Sequence, residues 1–140
     1  MSVAESRTGK GRVLLVDADP DVLTAACSAL RAEGWAVVTA LDAVQATRRA
    51  LRESCDLVVL DLALPGGGAH AVAARLREHA QTAALPIVYL AENADTYDYE
   101  RARELRVAKV LEKPVPAAVL TAALEGLVSC QVKRAQANRS

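Results

Sequence analysis

Short apolar runs alternate with longer stretches of mixed polarity five times along this chain of 140 residues. Val13–Val16, Trp35–Ala40, Leu57–Leu60, Ile87–Leu90 and Ala108–Leu111 have the length and composition of strands. Between them, periodicity predicts helices near 20–33, 42–53, 67–80 and 95–106, and a last one from about 116 onward. Strict strand–helix alternation with short connections predicts a parallel sheet covered by helices on both faces. Burial on both faces also explains why the strands lack polar alternation.

Local punctuation supports these boundaries. Asp19-Pro20 starts the first helix, with proline where a missing N–H costs nothing. Gly34 is placed to end that helix, and Asp42 and Asp95 are placed as N-caps. Leu85-Pro86 forces an extended entry into the fourth strand. The last helix shows an apolar face at Val119, Leu120, Ala123, Leu124, Leu127 and Val128, and after Cys130 the chain turns polar. The division is a polar leader over 1–12, one domain over 13–130, and a tail or linker start over 131–140.

Composition narrows the picture. Phenylalanine is absent and aromatics are few, so the core must be built from Ala, Val and Leu. Cys27, Cys55 and Cys130 are odd in number, widely spaced and set among apolar neighbours, which reads as reduced thiols. No apolar stretch approaches the ~20 residues needed to cross a bilayer, and residues 1–12 carry no apolar signal segment. A cytoplasmic protein without a membrane partner is the expectation. The chain has 17 basic and 17 acidic residues, and removing its two basic ends leaves 11 basic against 16 acidic. An acidic body argues against direct nucleic-acid binding and for protein partners.

The chemistry gathers at strand ends. The first strand runs into Asp17, the third into Asp61 and the fifth into Lys113-Pro114. In a doubly wound five-stranded sheet these three ends meet near the topological switch point. A carboxylate there can attack a phosphoryl donor to give an acyl phosphate. That chemistry calls for a hard cation held by carboxylates and a fixed positive group for the product oxygens.

Leu14-Leu-Val-Asp17-Ala-Asp-Pro20, Leu57-Val-Val-Leu-Asp61-Leu-Ala-Leu-Pro65, Pro86-Ile-Val-Tyr-Leu90 and Leu111-Glu-Lys113-Pro114 stand in the order and spacing of one family. The chain resembles the receiver domain of bacterial two-component response regulators over roughly residues 12–130. The resemblance implies an α/β flavodoxin-like (βα)5 fold, sheet order 2-1-3-4-5. It implies Asp61 as phosphoacceptor, Lys113 as the family's strand-five lysine, and Asp17 with Asp61 as ligands of Mg2+. It further implies a histidine kinase or downstream signalling protein as partner. The fourth helix, fifth strand and fifth helix are then the contact face, open to homodimer formation.

Three positions depart from the family pattern. Ala18 stands where a second acid normally binds the cation, and Asp19 is shifted by one residue. Ala91 replaces the hydroxyl residue after the fourth strand, and Val110 replaces the aromatic switch. The leading reading is therefore an atypical receiver, a pseudo-receiver acting through protein–protein contact with weakened Mg2+ binding, and not an enzyme. The alternatives are an active phosphoacceptor modified on Asp61, and a small flavodoxin-like enzyme or nucleotide binder. Gly66-Gly67-Gly68 lacks a following Lys-Ser/Thr and reads as a mobile loop. His70 and His79 read as ordinary helix residues, and Tyr97 and Tyr99 as partner anchors or as partial packing onto Tyr89 or the sheet edge.

Overall fold

Valine, leucine and isoleucine dominate the strands, and burying them from both sides dictates the layering. In the structure, a computed structural model, residues 9–65, 68–93 and 98–139 are described, residues 130–139 by backbone alone. The elements alternate as β1 (Gly11–Val16), α1 (Pro20–Ala32), β2 (Trp35–Ala40), α2 (Ala43–Arg52), β3 (Leu57–Asp61), α3 (Gly68–Glu78), β4 (Ile87–Ala91), α4 (Tyr99–Glu104), β5 (Lys109–Glu112) and α5 (Ala117–Arg139). The five strands form one sheet, order β2-β1-β3-β4-β5, with every described pairing parallel. This is the doubly wound architecture expected from the alternation.

Strand parity divides the core. Leu14, Val16, Val58, Leu60, Ile87 and Tyr89 face α2, α3 and α4, whose Ala46, Ala50, Val72, Ala73, Leu76 and Ala102 complete that layer. Val13, Leu15, Leu57, Val59 and Val88 face α1 and α5, against Leu23, Cys27, Leu30, Leu120 and Leu124. Small alanines let the helices approach the β-branched sheet closely, which is how a chain without phenylalanine fills its interior.

Several boundaries differ from the sequence reading. β1 begins at Gly11, inside the stretch read as leader, because Gly11 and Arg12 already pair with Trp35 and Ala36. The third and fourth helices are shorter than read, at Gly68–Glu78 and Tyr99–Glu104. Asp98 caps α4 through the Arg101 amide; the expected cap Asp95 and Tyr97 lie outside the described residues, as do Gly66 and Gly67. Val119 leaves the expected apolar face and is 52% exposed, because the buried stripe of α5 runs through Leu120 and Leu124. α5 continues through Arg139, so residues 131–139 carry on the helix backbone. The caps at Asp19 and Asp42 form as expected, and Gly34, at φ +100, ends α1 with a conformation a side chain would strain. Cys27 is buried and Cys55 half-buried, both as free thiols, with burial pushing Cys55 up to about 11.

One arginine ties the far end of the molecule together. Arg77 of α3 donates to the carbonyls of Leu105 (2.8 Å), Ala83 (2.9 Å), Leu85 (2.7 Å) and Arg106 (3.2 Å). It thereby satisfies backbone acceptors of both the α3–β4 and α4–β5 connections. Burial, and then the charge of Arg106, push its pKa below the ordinary value. Replacing Arg77 with methionine is expected to lower the unfolding free energy by about 2–3 kcal/mol, since the carbonyls lose a charged donor. Urea unfolding with an unchanged m-value checks this, and a loss below 0.5 kcal/mol (about the spread of ordinary surface substitutions) contradicts it.

Candidate functional site

Backbone bonds carry the sheet ladder one step past three strand ends and so fix the site. Asp17 N donates to Ala40 O (3.2 Å), Leu62 N to Leu90 O (2.8 Å) and Lys113 N to Ala91 O (2.7 Å). Asp17 follows Leu15 and Val13 in parity, and Asp61 follows Val59 and Leu57, whose side chains face α1 and α5. The two acids therefore emerge on a common side of the sheet, at its C-terminal edge.

There the three sequence-predicted residues meet. The Lys113 ammonium lies 3.1 Å from Asp61 Oδ1 and 3.5 Å from Asp17 Oδ2. Asp17 and Asp61 are each only 6% exposed. Burial alone would push the Lys113 pKa down, but the hydrogen bond and charge of Asp61, reinforced by Asp17, outweigh it and hold the pKa above its ordinary 10.5. Lys113 thus stays charged at neutral pH and neutralises part of the charge of two acids. The peptide bond from Lys113 to Pro114 is cis.

Each carboxylate is also held by its own chain. Asp61 Oδ1 accepts the Ala63 amide (3.1 Å), and Asp17 Oδ1 accepts the Asp19 amide (2.9 Å). The Asp19 carboxylate caps the start of α1, where Oδ1 accepts from Asp21 N at 2.9 Å. Ala18, between them, presents only a methyl group.

Two carboxylates of hard oxygen are the right kind of donor for Mg2+, but they are few. Among the described residues no group of three or more His, Cys, Asp or Glu side chains is placed to hold a metal ion. The residues fit Mg2+ in kind through Asp17 and Asp61 and fall short in number at Ala18.

On the other side of the sheet, parity puts Ala91 in line with Tyr89 and Ile87, and Val110 pairs in register with Tyr89. Ala91 is 2% exposed and lines an open cleft of about 540 Å3 with Leu62, Ala63, His70, Glu92, Asn93 and Asp98. Beneath it, Tyr89 is fully buried and its hydroxyl lies 2.8 Å from His70 Nδ1, the rings meeting edge to face at 5.3 Å. His70 is a residue of α3, as the sequence suggests, and in addition the polar partner that a buried tyrosine hydroxyl requires. The only available signal was a lone tyrosine inside an otherwise aliphatic strand. Burial pushes the His70 pKa down, Asp98 opposing and Arg101 assisting, and burial pushes that of Tyr89 upward.

Comparison with known proteins agrees with this architecture. The family model for the response regulator receiver domain matches residues 13–125. The chain is 33% identical over 117 residues to the transcriptional regulatory protein PrrA of Mycobacterium tuberculosis, covering 84% of this chain and 49% of PrrA. It is 31% identical over 103 residues to the alkaline phosphatase synthesis transcriptional regulatory protein PhoP of Bacillus subtilis, covering 74% and 42% respectively. The chain therefore spans about half the length of the curated relatives it matches. Among solved structures, the receiver domain of the sensor histidine kinase PA1611 of Pseudomonas aeruginosa superposes with a TM-score of 0.78 at 28% identity, over 85% of this chain and 98% of that one. Its active-site cleft holds a coordinated magnesium ion. The chemotaxis response regulator CheY4 of Vibrio cholerae shares the fold, with a TM-score of 0.76 at 22% identity over 83% of this chain and 97% of its own.

Two outcomes follow from the electrostatics. Lys113→Met leaves Asp17 and Asp61 facing each other without their cation and is expected to cost about 1–3 kcal/mol at pH 7, below the range for a fully buried pair. Because the lysine pKa is raised on folding, this contribution is complete below 10.5 and is lost as pH rises through the folded value. Urea unfolding at pH 7 and in strong base measures it, and adding Asp17→Asn should recover part of the loss; a neutral effect at pH 7 contradicts the pairing. For His70 the sign is opposite. Its lowered pKa means stability is retained above 6.5 and declines as pH falls below it. An NMR titration should place the His70 midpoint below 6.5, and a midpoint at or above that value contradicts a desolvated ring.

Proposed function

The chain belongs to the response regulator receiver domain family, and from that membership we propose that it is an atypical receiver, acting mainly through protein–protein contact. Asp61 keeps the phosphoacceptor position while the surrounding metal site and switch are reduced. The observation that carries this reading is the preserved contact of Lys113 with Asp61 and Asp17 beside alanines at 18 and 91.

The retained chemistry starts from the Asp61 carboxylate. Attack by a carboxylate oxygen on phosphorus forms a P–O bond as the P–N bond of a phosphohistidine donor breaks, giving an acyl phosphate and free imidazole. Lys113, already 3.1 Å from Oδ1, is placed to hold the charge on the product oxygens. Asp17 and Asp61 are the residues that would hold Mg2+, which when bound neutralises phosphoryl oxygens. Loss of supporting groups around a metal costs about 10–100-fold, and Ala18 removes a carboxylate outright, so phosphorylation is slow.

Transmission is reduced further. A switch needs a contact that differs between two states, and neither Ala91 nor Val110 carries a group to make one with a phosphoryl oxygen. The partner reads a surface instead. The fourth helix, fifth strand and fifth helix offer exposed Tyr99 and Val119 beside the exposed Lys109 and Glu112 of edge strand β5. A histidine kinase or a downstream signalling protein fits that surface, and a homodimer through it is the symmetric variant.

Incubation with magnesium and acetyl phosphate, read by intact mass, tests this. The expected result is slow, partial addition of about 80 Da, the mass of one phosphoryl group, abolished in Asp61→Asn. Rapid, stoichiometric addition that depends on Asp61 would instead establish an active phosphoacceptor and overturn the atypical reading.

A further inference from the structure

Helix α2 carries two faces. Ala46 and Ala50 are buried against the sheet, whereas Val44, Thr47, Arg48 and Leu51 form a second stripe at helical spacing. Val44 is 67% exposed, the most exposed large apolar side chain among the described residues. Across from this stripe stand Ala71, Val72 and Arg75 of α3. With only alanines at 43 and 71 to fill the space, the two helices leave a groove of about 470 Å3, apolar along its floor and arginine-lined at its rim.

The charge around this groove runs against the rest of the molecule. α2 carries Arg48, Arg49 and Arg52 and no acid, and α3 adds Arg75, on a chain whose body has an acidic excess. None of these four arginines has an ion-pair partner among the described residues. Arg77, two residues on, is by contrast engaged with backbone carbonyls. An apolar floor rimmed by guanidinium groups that have no ion-pair partner among the described residues is complementary to a ligand that has apolar anchors on one face and carboxylates beside them.

We propose that the α2–α3 groove is a docking site for an acidic amphipathic helix of a partner protein. Leucine-type side chains one turn apart would seat on Val44, Leu51 and Val72, and flanking glutamates or aspartates would meet Arg48 and Arg75. A second copy of this chain is disfavoured, because an isologous contact would set arginine against arginine. The chain's own polar end is disfavoured too, since Lys133, Arg134 and Arg139 carry the same sign. A nucleic acid would use the arginines but leave the apolar floor idle. The site lies apart from Asp61 and does not rest on the reading of its chemistry.

The test titrates the 15N-labelled full chain with a synthetic helical peptide of about four turns, leucines at i, i+3, i+4 and i+7 and glutamates elsewhere. The expected result is saturable shifts centred on Val44, Leu51, Ala71 and Arg75. Arg48→Glu/Arg75→Glu, both exposed positions whose spectrum reports retained folding, should weaken binding by about tenfold or more. The matching leucine–lysine peptide should ignore the native chain and bind that variant. The proposal is overturned by absence of shifts, by shifts centred elsewhere, by equal binding of the lysine peptide, or by a DNA duplex occupying the groove more tightly than the acidic peptide. Self-association that buries the groove at NMR concentrations would likewise replace it with a homodimer interface.

Discussion

Two carboxylates, each almost closed off from water, stand within reach of one ammonium group. That contact constrains everything around it. Like charges at the rim of a low-dielectric sheet repel, and a fixed cation between them makes the arrangement tolerable. The cation can be there only because a parallel sheet of order β2-β1-β3-β4-β5 brings the ends of β1, β3 and β5 to one edge. The ladder bonds beyond those ends hold Asp17 and Lys113 and the residue after Asp61 in register. The fold and the site are thus one solution to the same electrostatic problem.

The sheet also separates what is kept from what is lost. The acid–lysine contact belongs to the side facing α1 and α5, and it is intact. Ala91, Val110 and Tyr89 belong to the side facing α2, α3 and α4, where a state-dependent contact would have to travel. That side is filled by apolar packing and by the Tyr89–His70 hydrogen bond, which satisfies itself without reference to Asp61. This receiver domain keeps Lys113 in contact with both acids on one side of the sheet and carries no hydroxyl at position 91 on the other.

Much of this was legible in the sequence because the relevant signals are local. Apolar runs ending in Asp17 and Asp61, and Lys113-Pro114 after the fifth, named the three side chains that meet at the sheet edge; the alternation located the sheet. The alanines at 18 and 91 were readable once the strands were in order. Contacts between distant residues were not. His70 and Tyr89 are separated by 19 residues and Arg77 and Leu105 by 28, and neither pairing leaves a periodic trace. Spacing alone left the role of Asp19 open; the structure shows its carboxylate capping α1. Val119 fitted the apolar stripe of the last helix by composition, but the exact rotation of α5 on the sheet put it outside.

Asp17 and Asp61 are donors of the right kind for Mg2+, and Ala18 adds no carboxylate to them. Calorimetric titration of Mg2+ into the native chain and into Ala18→Asp tests this most directly. The account predicts that restoring the carboxylate tightens binding by about 10–100-fold, with the native chain binding weakly. Equal affinity in the two proteins would contradict it.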